Sequence, residues 1–456
     1  MWCSVLPTWP GWKPGPFNSL SLVLAPRMSV GLIYVRGLPV WLQHRLPFFY
    51  GWVVLACVCC AGFARQGPAV ATLSIFVEPM TGEFGWSRTS LSAAVSLGGV
   101  LAAIASPLLG PILDRRGARG MLCVAVLVTG VCAVLLSLTQ SLLVFVLLFC
   151  IARMSFASPF ELGIYGAVNN WFVRKRGIAT SIATFMQMIG LMAMPLIAQL
   201  TMNAYGWRSG WIAIGITVLI VGFIPVWLLV VRRPEDMGTV PDGIDQTGKD
   251  IGQDSQSIPS EPTFSRAQAV RTGTFWLLSL YTLLVYPVQA GVSLHQVPHL
   301  IERGIDPTIA ATIIGTFSLL SAVSGLVFGA FIRRLGVRLS LMSSALFLTL
   351  SAVVMIWITQ SWHGYVAAAL FGMGIGGMLT VLPLAWADYF GRASYGAIRG
   401  TALAVQVVAQ AAGPLISGIL RDYTGDYVWS LWVFVAFSGI AILTAVLIRV
   451  PPPPVR

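Results

Sequence analysis

Arg65 and Arg153 stand inside long apolar runs. They lie about fifteen and eleven residues from where those runs begin, or roughly 22 Å and 17 Å along a helix. A hydrocarbon layer about 30 Å thick would put both near its middle. A central arginine costs about 2.5–3.5 kcal/mol on insertion scales and rarely faces lipid. Turned toward an internal cavity, a guanidinium offers paired donors to the paired oxygens of a carboxylate. The chemistry implied is recognition of an anion. The plainer reading is that each arginine pairs with helix carbonyls, or that Arg153 pairs with an acid such as Glu161, in the service of packing.

Gln187, Tyr286, Gln289, Gln406 and Gln410 fall at similar depth and complete the candidate substrate-binding set. Against that role stands the interhelical hydrogen bond, worth about 0.6 kcal/mol, that a lone amide in a membrane helix more often makes. Glu161 is the candidate proton-coupling group. Asp388 is the other acid near membrane depth, and both lie toward the cytoplasmic side. His295 and His299, at the outer end of the seventh run, read as solvated histidines able to titrate near neutrality. No metal-ligand spacing, HExxH pair, Ser/His/Asp set or nucleotide loop occurs, so neither an enzyme nor a cofactor is implied.

The elements that carry these residues follow from composition. Of 456 residues, 57% are hydrophobic and 10% charged, with mean hydropathy +0.82. Such a chain cannot fold as a water-soluble globule. We read an all-α integral membrane protein with twelve transmembrane helices. The first six cover 49–77, 89–113, 120–138, 142–166, 177–202 and 210–231. The second six cover 274–294, 307–331, 340–358, 364–390, 396–419 and 428–448. This divides the chain into an amino-terminal segment (1–48), a first six-helix bundle (49–232), a polar cytoplasmic linker read as flexible (233–269), a second bundle (270–450) and a tail (451–456). Met28 offers an alternative start within the first segment. The seven cysteines sit mostly in apolar runs, lack a CxxC pair in a polar loop and read as small buried hydrophobes.

Net charge is +12, and its distribution speaks to topology. Lys and Arg near spans are biased to the cytoplasm. With both termini inside, the inner loops hold sixteen basic residues, Arg399 counted among them, against Arg88, Arg208, Arg303 and Arg421 outside. The basic balance therefore needs no nucleic acid, and membrane lipid is its natural secondary partner. The location implied is a bacterial-type inner (plasma) membrane, crossed many times.

A signature occurs twice, as GPILDRRG from Gly110 to Gly117 and as GAFIRRLG from Gly329 to Gly336, and the numbers of the two first glycines differ by 329 − 110 = 219. Phe172 with Phe390, Arg176 with Arg399, Pro195 with Pro414 and Gly206 with Gly425 pair at separations of 218 to 223. Two homologous halves follow. Glycines let two helices approach at a tight turn, while Asp114 can accept from arginines or from a neighbouring helix N-terminus.

The duplicated GxxxDRxG loop, the twelve runs and the central polar stretch resemble the major facilitator superfamily. FGWSRTSLS, NNWFVRKRGIATSI, YGWRSGW, RRPEDMGTVPDG and ADYFGRASYGAIRG, in that order, are similar to its bacterial monocarboxylate and oxalate/formate branch. The resemblance implies the major facilitator fold of two pseudo-symmetric six-helix bundles that rock about a central site. It implies a secondary transporter of a small organic anion, a monocarboxylate, working with proton symport or exchange for a counter-anion. It also implies a cytoplasmic conformational latch at Gly110, Asp114, Arg115, Gly117, Gly329, Arg333, Arg334 and Gly336. Arg333 stands where Asp114 stands in the first copy, so the second latch should be weaker or use a partner elsewhere. Some relatives carry a basic residue within span eight or eleven. Residues 307–331 and 401–419 hold none before their ends, which leaves charge recognition to Arg65 and Arg153. Two alternatives stay open. A proton-coupled exporter of amphipathic drugs is disfavoured because Pro195 lacks the preceding glycine that such a motif needs in span five. A non-transporting receptor on the same scaffold would be expected to carry a folded soluble extension.

Overall fold

The computed structural model describes residues 37–243 and 262–452, and among them every regular element is a helix. In chain order these are α1 (Leu38–Arg45), α2 (Gly51–Ala64), α3 (Val70–Phe84), α4 (Arg88–Arg116), α5 (Ala118–Leu136), α6 (Leu142–Ala157), α7 (Pro159–Trp171), α8 (Arg176–Tyr205) and α9 (Trp207–Thr217). Through a π-turn at Val218–Phe223, α9 continues into α10 (Ile224–Leu229). The second half holds α11 (Arg266–Val270), α12 (Gly273–Glu302), α13 (Pro307–Ile356), α14 (Ser361–Phe390), α15 (Tyr395–Thr424) and α16 (Val428–Leu447).

Ten of the described helices are long and apolar enough to cross a membrane. One of these, α13, is two spans in a single run, turned at Gly336 where φ is 76°. Gly117 makes the equivalent turn between α4 and α5 at φ 82°, the left-handed region that glycine alone adopts without steric cost. Helices α2 and α3 together form the first span, interrupted at Gly67–Pro68. Twelve spans in two bundles of six result. Their outer surface is apolar: Leu108, Leu196, Leu319 and Leu443 are all more than half exposed, a covering that suits lipid rather than water. Some helix starts are capped by side chains, as at Asp306, whose carboxylate accepts from the Thr308 and Ile309 amides at 2.8 and 3.3 Å. These bonds, that from Thr308 first, hold its carboxyl below the usual carboxylate range.

Some boundaries differ from the sequence reading. Span eleven begins at Tyr395, one residue before the start read from the sequence, and Arg399, counted there among the loop charges, lies inside α15. The linker is folded where it starts, since Pro234–Met237 and Pro241–Gly243 form short 3-10 turns. Its remainder at 244–261, and the alternative start at Met28, lie outside the described residues. Cys57, Cys59, Cys132 and Cys150 are buried and unpaired, as read.

The two bundles meet along α4 against α15 and α8 against α13. Glycines permit the approach. A β-carbon added at Gly177 would sit 2.6 Å from the Gly329 carbonyl oxygen, and one at Gly396 would sit 2.8 Å from Asp114 Oδ1. Gly177 relates to Gly396 by the same offset that relates Gly110 to Gly329 (396 − 177 = 329 − 110), so one repeat governs both interfaces. That offset pairs Arg176 with Tyr395 and Arg399 with Thr180. Arg176 and Arg399 are therefore not equivalents, despite their similar phrases.

Ion pairs divide the molecule's two ends. At one, Arg208–Glu83 (2.7 Å), Arg303–Asp426 (3.1 Å) and Arg421–Glu302 (3.0 Å) each stay within a bundle. At the other, Arg176 of α8 reaches Asp388 of α14 at 2.7 Å, and Asp114 of α4 accepts from the Gly396 and Ala397 amides of α15 at 2.7 and 2.8 Å. The bundles are thus joined at the Asp114 end. Gly396→Val should push α15 off α4. A cysteine placed at buried Leu113 would then be labelled by a water-soluble maleimide several-fold faster than in Leu113→Cys alone.

Candidate functional site

The centre of the first bundle is built on a helix break. Helix α6 stops at Ala157, Ser158 takes φ −123° and ψ −76°, and Pro159 begins α7. Proline has no N–H to continue the ladder, and irregular backbone at membrane depth persists only where protein or a cavity covers it. Beside this break the Phe156 carbonyl accepts from Arg65 Nε at 2.9 Å. Arg65 itself caps α2 where Gly67–Pro68 interrupt span one. Two broken helices thus present a cation and a carbonyl to each other.

Glu161 lies in the first turn of α7, where the positive end of the helix favours a carboxylate. Its Oε2 receives Arg65 Nη1 at 2.7 Å, and its Oε1 receives Arg399 Nη2 at 3.2 Å. One carboxylate therefore joins a guanidinium from each bundle. All three side chains are buried, Arg399 at 1% exposure. Two glutamines finish the arrangement: Gln187 Oε1 accepts from Arg65 and Gln406 Oε1 from Arg399, each at 2.5 Å. The repeat offset relates them too (406 − 187 = 219), so they occupy matching places on α8 and α15. Gln187 also donates to the Tyr165 hydroxyl at 3.3 Å, while Tyr286 is buried within electrostatic reach of Arg399 and Glu161.

Arg153 stands next to this cluster without joining it. Its guanidinium lies 4.3 Å from the centre of the Phe156 ring, and that of Arg65 lies 4.5 Å from the same ring. Such stacking is favourable but does not neutralise charge. Among the described residues Arg153 has no hydrogen bond or ion pair, and its Nε is buried without a partner. The anticipated alternative partner, Glu161, is taken by Arg65 and Arg399. Three guanidiniums face one carboxylate, an excess of two positive charges.

The other anticipated residues sort plainly. Gln289 and Gln410 bond to each other at 3.2 Å across α12 and α15, apart from the ion cluster. His299 is not solvated: it is 1% exposed, with Nε2 2.8 Å from the Met355 carbonyl oxygen. His295 is part-buried, 3.3 Å from the Pro414 carbonyl oxygen. In the duplicated loops Asp114 alone makes charged contacts across the bundles. Arg115, Arg333 and Arg334 are exposed and, among the described residues, form no hydrogen bond or ion pair. Arg399 was missed as a site residue because it was counted with the basic residues of the inner loops, although the span read as 396–419 contains it. The signal lay in the repeat: its offset sets Gly396 against Gly177, just inside span five, and so puts Arg399 inside span eleven.

A family model described as the Major Facilitator Superfamily matches residues 54–300 and 284–456. The chain belongs to the Major Facilitator Superfamily. Among curated relatives, human monocarboxylate transporter 11 is 24% identical over 422 residues, 89% of this chain and 83% of that protein. The membrane sensor protein UhpC of Salmonella typhimurium is 28% identical over 226 residues, and the match spans 48% of this chain and 50% of the sensor. The fold is shared with the proton:xylose symporter XylE, at TM-score 0.68 and 14% identity over 88% of this chain and 96% of that one. It is shared also with the human organic anion transporter MFSD10, at TM-score 0.64 and 15% identity over 88% and 99%.

Removing Glu161 would strand two buried guanidiniums, and breaking a buried pair from one side costs about 3–5 kcal/mol. Arg153→Met removes a cation that has no partner. Thermal unfolding in detergent should therefore show Glu161→Ala strongly destabilised, with Arg153→Met unchanged or more stable than the parent.

Proposed function

We propose that the protein is a secondary transporter of a small organic anion, a monocarboxylate in the first instance, working by alternating access. The observation that carries the reading is the Arg153 guanidinium, buried in part and without an anion. Such a group is costly to hold at membrane depth, and a substrate carboxylate supplies what it lacks through paired, charge-assisted hydrogen bonds. Arg65 shares the Phe156 ring with it and lies within the same cluster. Arg399 brings the second bundle to the same carboxylate, and the sequence reading had left the second bundle without a central cation. The name of one relative, a monocarboxylate transporter, agrees with an anionic substrate.

Glu161 is the group through which a proton would act. Ionised, it holds Arg65 and Arg399 together across the bundles. Protonated, it releases both, and a substrate carboxylate takes its place. With the basic loops inside the cell, the joined Asp114 end is cytoplasmic, both termini are cytoplasmic, and the conformation is closed toward the cytoplasm. In this reading Asp114 is the latch.

A second reading rests on the sensor relative: the same site would bind an anion and report it without moving it. Counterflow in proteoliposomes, with a panel of labelled small carboxylates and an imposed pH gradient, separates these outcomes. A monocarboxylate should accumulate or exchange. Arg153→Met should weaken its apparent affinity by about a hundredfold, and Glu161→Gln should keep exchange while losing accumulation driven by the proton gradient. Saturable carboxylate binding without counterflow would favour the sensor, and expulsion of a cationic dye alone would overturn the anion reading.

A further inference from the structure

Asp242 is the single described residue other than glycine with a positive φ, at 60°. It sits in the linker turn Pro241–Gly243. L-residues pay a steric cost in this conformation and glycine does not. Glycine occupies the next position, so the turn was not short of that residue. The Asp242 carboxylate gives the reason for its presence. Oδ2 accepts from the amides of both Val173, at 2.8 Å, and Arg174, the turn that leads into α8.

That turn aims α8 at the second bundle. Arg176, the first residue of α8, reaches Asp388 while its Nε is held by the Phe172 carbonyl at 3.1 Å, and Gly177 abuts Gly329. At the matching interface Asp114 holds the start of α15 through the Gly396 and Ala397 amides. Arg333, which stands in Asp114's place in the second copy, is exposed and, among the described residues, binds nothing across the interface. A carboxylate holds the entry to each span, and at α8 it comes from the linker. Earlier in the same linker, Glu235 meets Arg392 at 2.5 Å, in the turn that enters α15, and Arg392 also donates to the Asn170 carbonyl at 3.0 Å.

We propose that linker residues 234–243 form a clasp across the Asp114 end, with Asp242 the positioning residue that fixes it to the turn into α8. Asp242 anchors the clasp to the first bundle and Glu235 pins it to the second. Separation of the bundles at this end breaks Glu235–Arg392 and Arg176–Asp388, so these contacts belong to the closed state alone and bias the equilibrium toward it. The inference needs the Asp114 end to open and close, as alternating access supposes, and is independent of what the site carries.

Double electron–electron resonance on the full chain in nanodiscs, with native cysteines replaced by serine, tests it. Spin labels at exposed Arg116 and Arg338 report the gap between bundles, and labels at Arg116 and Leu138 report the integrity of the first bundle. Asp242→Gly relieves the backbone and removes the carboxylate. It should raise the ratio of long to short Arg116–Arg338 distances by about tenfold, the scale of a lost charge-assisted bond, with the Arg116–Leu138 distance unchanged. Asp242→Asn, which keeps an acceptor oxygen, should fall between, and Glu235→Gln should shift the ratio in the same direction. A parental or more closed distribution in Asp242→Gly would mean that the residue only shapes the turn, and would overturn the proposal. A changed Arg116–Leu138 distance would overturn it as well, because Asp242 would then be holding the bundle and not the gap. A chain that transports no carboxylate but opens in Asp242→Gly would sink the substrate reading and leave the clasp standing.

Discussion

A buried guanidinium has to find an anion, and the middle of this molecule is arranged around that requirement. Arg65 and Arg399 come from different bundles, and Glu161 serves both. The break at Ser158–Pro159 turns α7 so that Glu161 sits at its positive end, beside the Phe156 carbonyl that takes Arg65 Nε. Gln187 and Gln406 accept from the same nitrogens that meet the carboxylate, Arg65 Nη1 and Arg399 Nη2. The ion-pair link between the bundles in the interior therefore depends on the charge of one oxygen pair. A proton or a competing carboxylate acts there with most effect, because a low-dielectric surrounding magnifies whatever is left unpaired.

The twofold plan is strict where it concerns backbone and absent where it concerns charge. A single repeat offset relates Gly117 to Gly336, Gly177 to Gly396 and Gln187 to Gln406, positions that set turns, close approaches and amide contacts. The same offset carries Arg65 to Leu284, Arg153 to Gly372 and Glu161 to Thr380. The halves share a scaffold, while the first half supplies Arg65, Arg153 and Glu161 and the second supplies Arg399 from a different position, opposite Thr180 in the repeat. Asp114 and Arg333 break the match in the same way at the Asp114 end.

Twelve spans, two halves and an interior Arg65 and Arg153 were legible because hydropathy, the basic-loop bias and a repeated glycine signature are local signals. The glycine positions were legible for the same reason. Partnerships were not. Nothing in the surroundings of Glu161 names Arg399, far along the chain, as its second partner, since such a contact exists only when two bundles are closed on each other. Arg399 was counted with the loop charges, though inside the span read as 396–419, because a basic residue so near a span's inner end reads as a topological signal, whereas it stands in the first turn and a half of α15. His299 was judged by its distance from the span's centre, whereas its burial depends on α13 supplying the Met355 carbonyl. The folded start of the linker escaped for a related reason: Asp, Pro and Gly mark a turn equally well whether it is solvated or docked.

The shared carboxylate has a consequence for how the chain is made. Arg65 and Glu161 both belong to the first half, so that bundle can pair them before the second half is made. Arg399 emerges only after the linker and four more spans have been made, and among the described residues of its own bundle its hydrogen-bond partner is the neutral Gln406. Its counter-ion is waiting in a finished neighbour. A carboxyl-terminal half synthesised by itself would carry an unmatched charge into the membrane, and the earlier half would supply the carboxylate that matches it.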